Sequence, residues 1–331
     1  EGILSGTTTF CDMYYHMDMV AQAAVAIGMR GLLTRGLTDS DGQGDEKLEE
    51  VRMLYINSHG LGDDLVEVAP APHAIYTCSG DYIKDIIRLT GELDGVLHTH
   101  LSESKKEMED AEALYGTTPI RYMWNLGLDQ VRTIAAHCVH MTEEDMDLVD
   151  PEKFFPVHNP SSNLKLASGI APVQKMMDKG LTVALGTDGD SSNNNQNMLE
   201  EMHLAGLLAK GVSYDPEALK AEDVLRMATI NGAKALGRDF EIGSIEVGKL
   251  ADISCFNLNS PSFTPRNNLI SALCYSAQAE DVKHVLIGGK FVLKDRKLTR
   301  VDLDDIREKV ERKFQQLIDR KELSDAIKGD L

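Results

Sequence analysis

Ten histidines occur in the chain, and five stand at the ends of apolar, strand-like runs or in the loops just past them: His73, His98, His100, His137 and His158. Asp188 closes the last such run. A single histidine near a strand end is most often a packed or hydrogen-bonded residue. Several at successive strand ends, joined by an aspartate, form a different pattern. Imidazole and carboxylate at one mouth are the ligand set of zinc or a related divalent metal, iron and manganese being the alternatives. His98-Thr99-His100 is the sharpest local case. Side chains alternate along a strand, so these two share a face. Either both imidazoles serve the site, or one ligates and the other packs. Glu103 lies three residues past His100, where strand gives way to helix. A carboxylate there would shuttle a proton between an attacking water and a leaving group. Its alternative role is a first-turn helix carboxylate favoured by the macrodipole.

The elements that must position these residues are legible from apolar periodicity. Short β-branched or apolar runs fall at 6–12, 29–35, 65–71, 95–100, 132–138, 154–159 and 181–188. Between them lie helical patterns at 46–59, 81–93, 103–115, 142–149 and 173–179, with Ser79 and Thr142 placed as N-caps. Strand–helix alternation means parallel strands covered by helices. Ligands bind at the carboxyl ends of such strands in a (β/α)₈ barrel and in an open doubly wound sheet alike. The count leans towards the barrel: seven runs plus one lost before Glu1 would make eight. After Asp188 the texture changes. Helices are expected at 198–210 and 221–236, then strands at 253–256, 282–287 and 291–293. A last helix carries an apolar stripe through Leu303, Ile306, Val310, Phe314 and Leu317. The expected organisation is a barrel over 1–240, a small β-sandwich portion over 241–300 and a C-terminal helix over 301–331.

The chain has 331 residues, with 34 Lys+Arg against 53 Asp+Glu and a formal net charge of −19. That balance opposes a nucleic-acid backbone and an anionic membrane surface as partners. Five cysteines, an odd count with no Cys-x-x-Cys pair, read as reduced thiols of a cytoplasmic protein rather than a disulfide framework. Phosphate-loop, nucleophile-elbow and His-Glu-x-x-His motifs are absent. Met13, Met17, Met19 and Trp124 read as core, and Tyr14 and Tyr15 as candidates to line a mouth.

Several stretches together resemble the amidohydrolase superfamily, and more narrowly its 5′-methylthioadenosine/S-adenosylhomocysteine deaminases. They are SGTTTFCDMY from Ser5, APHAIYTCS from Ala71, LHTHLSES from Leu97, AAHCVH from Ala135, HNPSSNLKLASGIAPV from His158 and ALGTDGDSSNNNQNMLEEM from Ala184. GSIEVGKLADI, from Gly243, resembles the superfamily's return into its small β-sandwich. The stretch 158–202 is specific to the subgroup, whereas Thr187-Asp188 alone would mark only the superfamily.

The resemblance implies roles for individual residues. His100 matches the metal-ligand histidine of the fifth barrel strand. Asp188 matches the metal-ligand aspartate of the eighth, which also takes a proton from the attacking water. Glu103 matches the glutamate that protonates the purine ring nitrogen. His137 matches the histidine that polarises water or substrate, and His73 one that contacts the ribose. The implied cofactor is one zinc-type ion, and the implied reaction is deamination of an adenine nucleoside to its inosine analogue and ammonia. On this mapping His98 is not a ligand.

The family's His-x-His, which supplies two further ligands from the first strand, would lie upstream of Ser5. The expectation is therefore a chain without its first barrel strand and without the N-terminal half of the β-sandwich. Two unpaired barrel edges would favour strand exchange between copies, so a homo-oligomer is compatible with the sequence. The residues leave open guanine or a chlorinated triazine as substrate, and a non-catalytic remnant.

Overall fold

A computed structural model describes residues 1–319, so residues 320–331 of the expected C-terminal helical segment lie outside the described residues. Seven strands alternate with helices: β1 (Thr9–Tyr14), β2 (Arg30–Leu37), β3 (Val66–Pro72), β4 (Val96–Leu101), β5 (Arg132–His137), β6 (Phe154–His158) and β7 (Ala184–Leu185). All their pairings are parallel, in the orders β1-β2-β3 and β4-β5-β6-β7. His73, the residue after β3, joins the two sheets. Its N–H donates to the Leu37 carbonyl at 3.0 Å, and its own carbonyl accepts the His100 N–H at 3.1 Å. The architecture is α/β, of the TIM-barrel type that strand–helix alternation implied.

Parallel strands covered by helices are buried on both faces. Residues Arg30 to Leu33 of β2 are accordingly all buried. Gly31 is required there, because a Cβ would lie 2.5 Å from the Phe10 ring of β1. Helix Gly80–Glu92 shows how the covering layer is built. Ser79 Oγ accepts from Tyr82 N–H, as expected of the N-cap. Tyr82, Ile83, Ile86, Ile87 and Leu89 then face the barrel and are buried. Each such aliphatic side chain stabilises the fold by roughly 1.5–3 kcal/mol. Thr142, the other expected cap, forms a reciprocal capping box with Asp145.

Three elements depart from expectation. The run 181–188 forms a ladder only at Ala184–Leu185. Beyond it Asp188 adopts a φ of 59°, a left-handed conformation that no strand continues. The helix expected over 221–236 is two helices, Ala221–Met227 and Ile230–Ala235. They part at Thr229, whose hydroxyl bonds back to the Leu225 carbonyl at 2.6 Å. Glu103 stands ahead of its helix, Lys105–Tyr115, which is capped by Ser104.

A second sheet follows the barrel, antiparallel in the order β11-β10-β9-β8. Its strands are β8 (Ile253–Phe256), β9 (Val282–Ile287), β10 (Lys290–Lys294) and β11 (Lys297–Leu298). β11 has no counterpart in the sequence expectation. Asp295 and Arg296, both at positive φ, make the two-residue turn that folds it onto β10. An ion pair ties this sheet to the barrel: Arg30 Nε lies 2.8 Å from Asp252 Oδ2, with side chains 4% and 2% exposed. Helix Leu303–Ile318 closes the described chain, and Ile306, Val310, Phe314 and Leu317 of its apolar stripe are exposed. Met17 is buried and Trp124 packs against the core, but Met19 is exposed, as are Tyr14 and Tyr15.

Candidate active site

Four histidines form a chain of rings. Centroids are 4.9 Å apart for His73–His100, 6.1 Å for His98–His100 and 5.5 Å for His100–His137. Strand alternation places the His98–His100 contact, because the two residues are two apart on β4. β5 delivers His137 as its last residue.

Each ring is held through Nδ1. His100 Nδ1 donates to the His73 carbonyl at 2.8 Å, and His137 Nδ1 to Asn163 Oδ1 at 2.8 Å. His73 Nδ1 donates to Thr77 Oγ1 at 2.9 Å, whose own hydroxyl is spent on the Ala74 carbonyl. His98 Nδ1 donates to Thr34 Oγ1 at 3.2 Å, whose hydroxyl is spent on the Asp12 carbonyl. A neutral ring that donates from Nδ1 keeps a lone pair on Nε2. Burial, and then the charge of neighbouring rings, favours the neutral form. His98 is pushed down to about 3 and His73 to about 4, and His100 is lowered by the same two causes.

Glu103 occupies a loop that follows a left-handed residue, Ser102, at φ 51°. Glu107, 3% exposed, turns back onto this loop. Its Oε1 accepts Ser102 N–H at 3.0 Å and its Oε2 accepts Glu103 N–H at 2.7 Å. The Glu103 carboxylate then lies with Oε2 4.0 Å from His137 Nε2 and Oε1 3.4 Å from Ser168 Oγ.

Asp188 is the most heavily hydrogen-bonded carboxylate of the group. Oδ2 accepts from Ser162 Oγ at 2.6 Å and Ser192 Oγ at 2.8 Å, and Oδ1 from Gly189 N–H at 2.7 Å. Burial works to raise its pKa. The Ser162 bond, the His137 ring, and the Ser192 and Gly189 bonds outweigh burial and hold it below the usual carboxylate range.

The structure thus brings His73, His100, Glu103 and His137 into one set, and Asp188 is tied to it through neighbouring residues, Ser162 bonding Asp188 and Asn163 bonding His137. His98 extends the ring chain and also lies 3.5 Å from Cys11 Sγ. His158 ends β6 with its Nδ1 unpartnered, and burial followed by the His137 ring pushes it down to about 4. Residue-by-residue reading of the sequence missed the supporting groups Asn163, Ser162, Ser192, Ser168 and Glu107. Only Glu107 carried a local signal, an acid four residues past Glu103.

The donor chemistry can be tested against a divalent ion. His100 offers an unprotonated Nε2 and Asp188 an ionised carboxylate, both ligands of the zinc type. They fit in kind, as part of a ligand shell. Among the described residues no group of three His, Cys, Asp or Glu is placed to hold a metal.

The sequence profile of the amidohydrolase family matches residues 1–292. A 5-methylthioadenosine/S-adenosylhomocysteine deaminase of Thermoanaerobacter pseudethanolicus is 49% identical over 322 residues, 97% of this chain and 75% of that protein. An adenosine deaminase of Xanthomonas campestris, solved with bound zinc, aligns with a TM-score of 0.90 at 35% identity. That alignment covers 95% of this chain and 72% of the other. A zinc complex of an atrazine chlorohydrolase from Arthrobacter aurescens gives a TM-score of 0.85 at 25% identity, over 94% of this chain and 73% of the other.

Proposed function

The chain belongs to the amidohydrolase family, and from that premise we propose that it hydrolytically deaminates an adenine nucleoside. The substrate class is 5′-methylthioadenosine, S-adenosylhomocysteine or adenosine, and the products are the inosine analogue and ammonia. The reading rests on the 49% identity that runs through 97% of the chain. The pairing of Glu103 with His137 supports it, since it sets a proton donor beside a group that can orient water.

The proposed roles follow the hydrogen bonds. His100, through Nε2, and Asp188, through its carboxylate, would hold a divalent ion of the zinc type. When bound, that ion supplies Lewis-acid activation of water. His137 Nε2 accepts a hydrogen bond from the attacking water and fixes its direction. Asp188 takes one proton of that water as its oxygen adds to C6 of the adenine. Glu103 gives its proton to the ring nitrogen N1. The amino nitrogen leaves as ammonia with the proton held by Asp188, and the remaining hydroxyl proton returns to Glu103 as the C6 carbonyl forms. His73, with Nε2 free to accept, binds a ribose hydroxyl.

Further proposals concern the whole chain. The barrel would occupy 1–240 and the sandwich portion 241–300, with a third, C-terminal unit from 301, of which the helix Leu303–Ile318 is described. The five free cysteines suit a reducing, cytoplasmic setting. No described helix is long and apolar enough to cross a membrane.

Ammonia release with zinc supplied, measured on the three adenine nucleosides, guanine and a chlorinated triazine, tests the reading. Turnover of an adenine nucleoside is expected, and Glu103→Gln should abolish it while leaving zinc content near wild type. Turnover of guanine or triazine alone overturns the substrate class. Retained activity in Glu103→Gln removes Glu103 from the proton path.

A further inference from the structure

We propose that Glu201 is a positioning residue for Asp188, acting through the two short loops that supply the aspartate's serine partners. What Asp188 does chemically rests on the function proposed above; the positioning itself does not.

Asp188 stands beyond the two-residue ladder of β7, in a left-handed conformation. Its strand does not hold it. Its carboxylate depends instead on Ser162, from the helix Pro160–Lys165, and Ser192, from the helix Asp190–Asn193. Helices this short do not hold themselves. Glu201 joins both to a longer element. It lies in the first turn of helix Met198–Ser213 and is 0% exposed. Its Oε2 accepts Ser161 N–H at 3.0 Å and its Oε1 accepts Asn193 Nδ2 at 2.8 Å.

These two grips fall next to the residues that matter. Ser161 immediately precedes Ser162, and Asn193 immediately follows Ser192. The second hydrogen of Asn193 Nδ2 goes to the Thr187 carbonyl at 2.7 Å, which fixes the residue before Asp188. One carboxylate therefore ties the β6 loop, the β7 loop and the Asp188 backbone to the same point. Burying a carboxylate is costly unless its oxygens are satisfied. A leucine of similar size would avoid that cost, so the charge marks a task for two acceptors.

Glu201→Gln tests the inference, since it keeps the shape but leaves one acceptor oxygen where two are needed. Residue-resolved hydrogen exchange by NMR on the full chain reads the result without metal or substrate. Gly189 N–H, bonded to Asp188 Oδ1 at 2.7 Å, reports on the aspartate directly. Protection at Gly189 and Ser161 should fall at least tenfold. Protection at Ile83 and Ile86, in the distant helix Gly80–Glu92, should stay within twofold. Asn193→Ala should reproduce the loss at Gly189. In the zinc-supplied protein kcat should fall about tenfold with KM within twofold, the scale of a lost ligand-orienting partner. Unchanged protection at Gly189 overturns the proposal, and so does a loss spread evenly over both regions, which would mean general destabilisation. A wild-type chain that deaminates nothing would sink the proposed function, and the exchange pattern would still decide the role of Glu201.

Discussion

His158 makes the folded state sensitive to acid by an amount that can be worked out. The side chain is 3% exposed, and its Nδ1 has no hydrogen-bond partner. Burial, and then the His137 ring, lowers its pKa from 6.5 to about 4. Between those values the unfolded chain binds a proton that the folded chain refuses, so stability falls as pH drops. The loss begins near the unfolded value and is complete below the folded one. For pKa values of 6.5 and about 4, the contribution grows from close to zero at pH 7.5 to about 2 kcal/mol at pH 5. His158→Leu removes the titrating ring and its orphaned nitrogen at similar volume. Urea unfolding of both proteins at pH 7.5 and pH 5 gives two differences in stability. The wild-type difference should exceed that of the variant by about 2 kcal/mol. His73, His98 and His100 titrate in both proteins, so they cancel in the comparison. Equal losses, within about 0.5 kcal/mol, would refute the buried neutral state assigned to His158.

Two further predictions concern the frame around the site. Arg30→Met leaves Asp252 buried without its cation and should cost about 3–5 kcal/mol by urea unfolding. Adding Asp252→Leu should recover most of that, and a single variant losing under about 1 kcal/mol would show that the pair does not join barrel to sheet. Gly31→Ala drives a Cβ to 2.5 Å from the Phe10 ring and should cost about 1–3 kcal/mol. Shortening the neighbour with Phe10→Leu should relieve it in the same measurement, and failure to do so would place the strain elsewhere.

The barrel was legible because its strands and helices obey different periods. The run at 132–138 and the helix capped by Ser79 lie where apolar spacing put them, and the caps are made by the residues expected. Legibility failed where side chains compete with the backbone or where the chain turns left-handed. Thr229 splits a continuous helical pattern by bonding its own hydroxyl backwards, which periodicity does not register. Asp188 ends a run of strand-like composition, yet the ladder stops at Leu185: Gly186 N–H still reaches the His158 carbonyl of β6 at 2.9 Å, but the Thr187 carbonyl then goes to Asn193 Nδ2 and Gly189 N–H to the Asp188 carboxylate. His73, His100, Glu103, His137 and Asp188 could be singled out, but not the groups that orient them. Asn163 and Ser162 look in sequence like a polar loop after a proline, and only three dimensions bring them to His137 and Asp188.

The same left-handed turns explain why buried acids surround the site. Ser102, His137, Cys138 and Asp188 all have positive φ, and none is glycine. Each such conformation costs about 1–2 kcal/mol for a residue with a Cβ, so the ends of β4, β5 and β7 store strain that the barrel core cannot offset locally. In each case a buried polar group is bonded to the strained segment. Glu107 accepts the N–H groups of Ser102 and Glu103, Asn163 accepts from His137, and Glu201 acts on either side of Asp188 through Ser161 and Asn193. An unstrained alternative would continue each strand and send the next side chain to the opposite face, away from the mouth. The left-handed residues re-aim the chain, and the buried acceptors make that arrangement stable enough to persist. Glycine at His137 or Asp188 would relieve the strain, but it would remove side chains that the proposed chemistry uses.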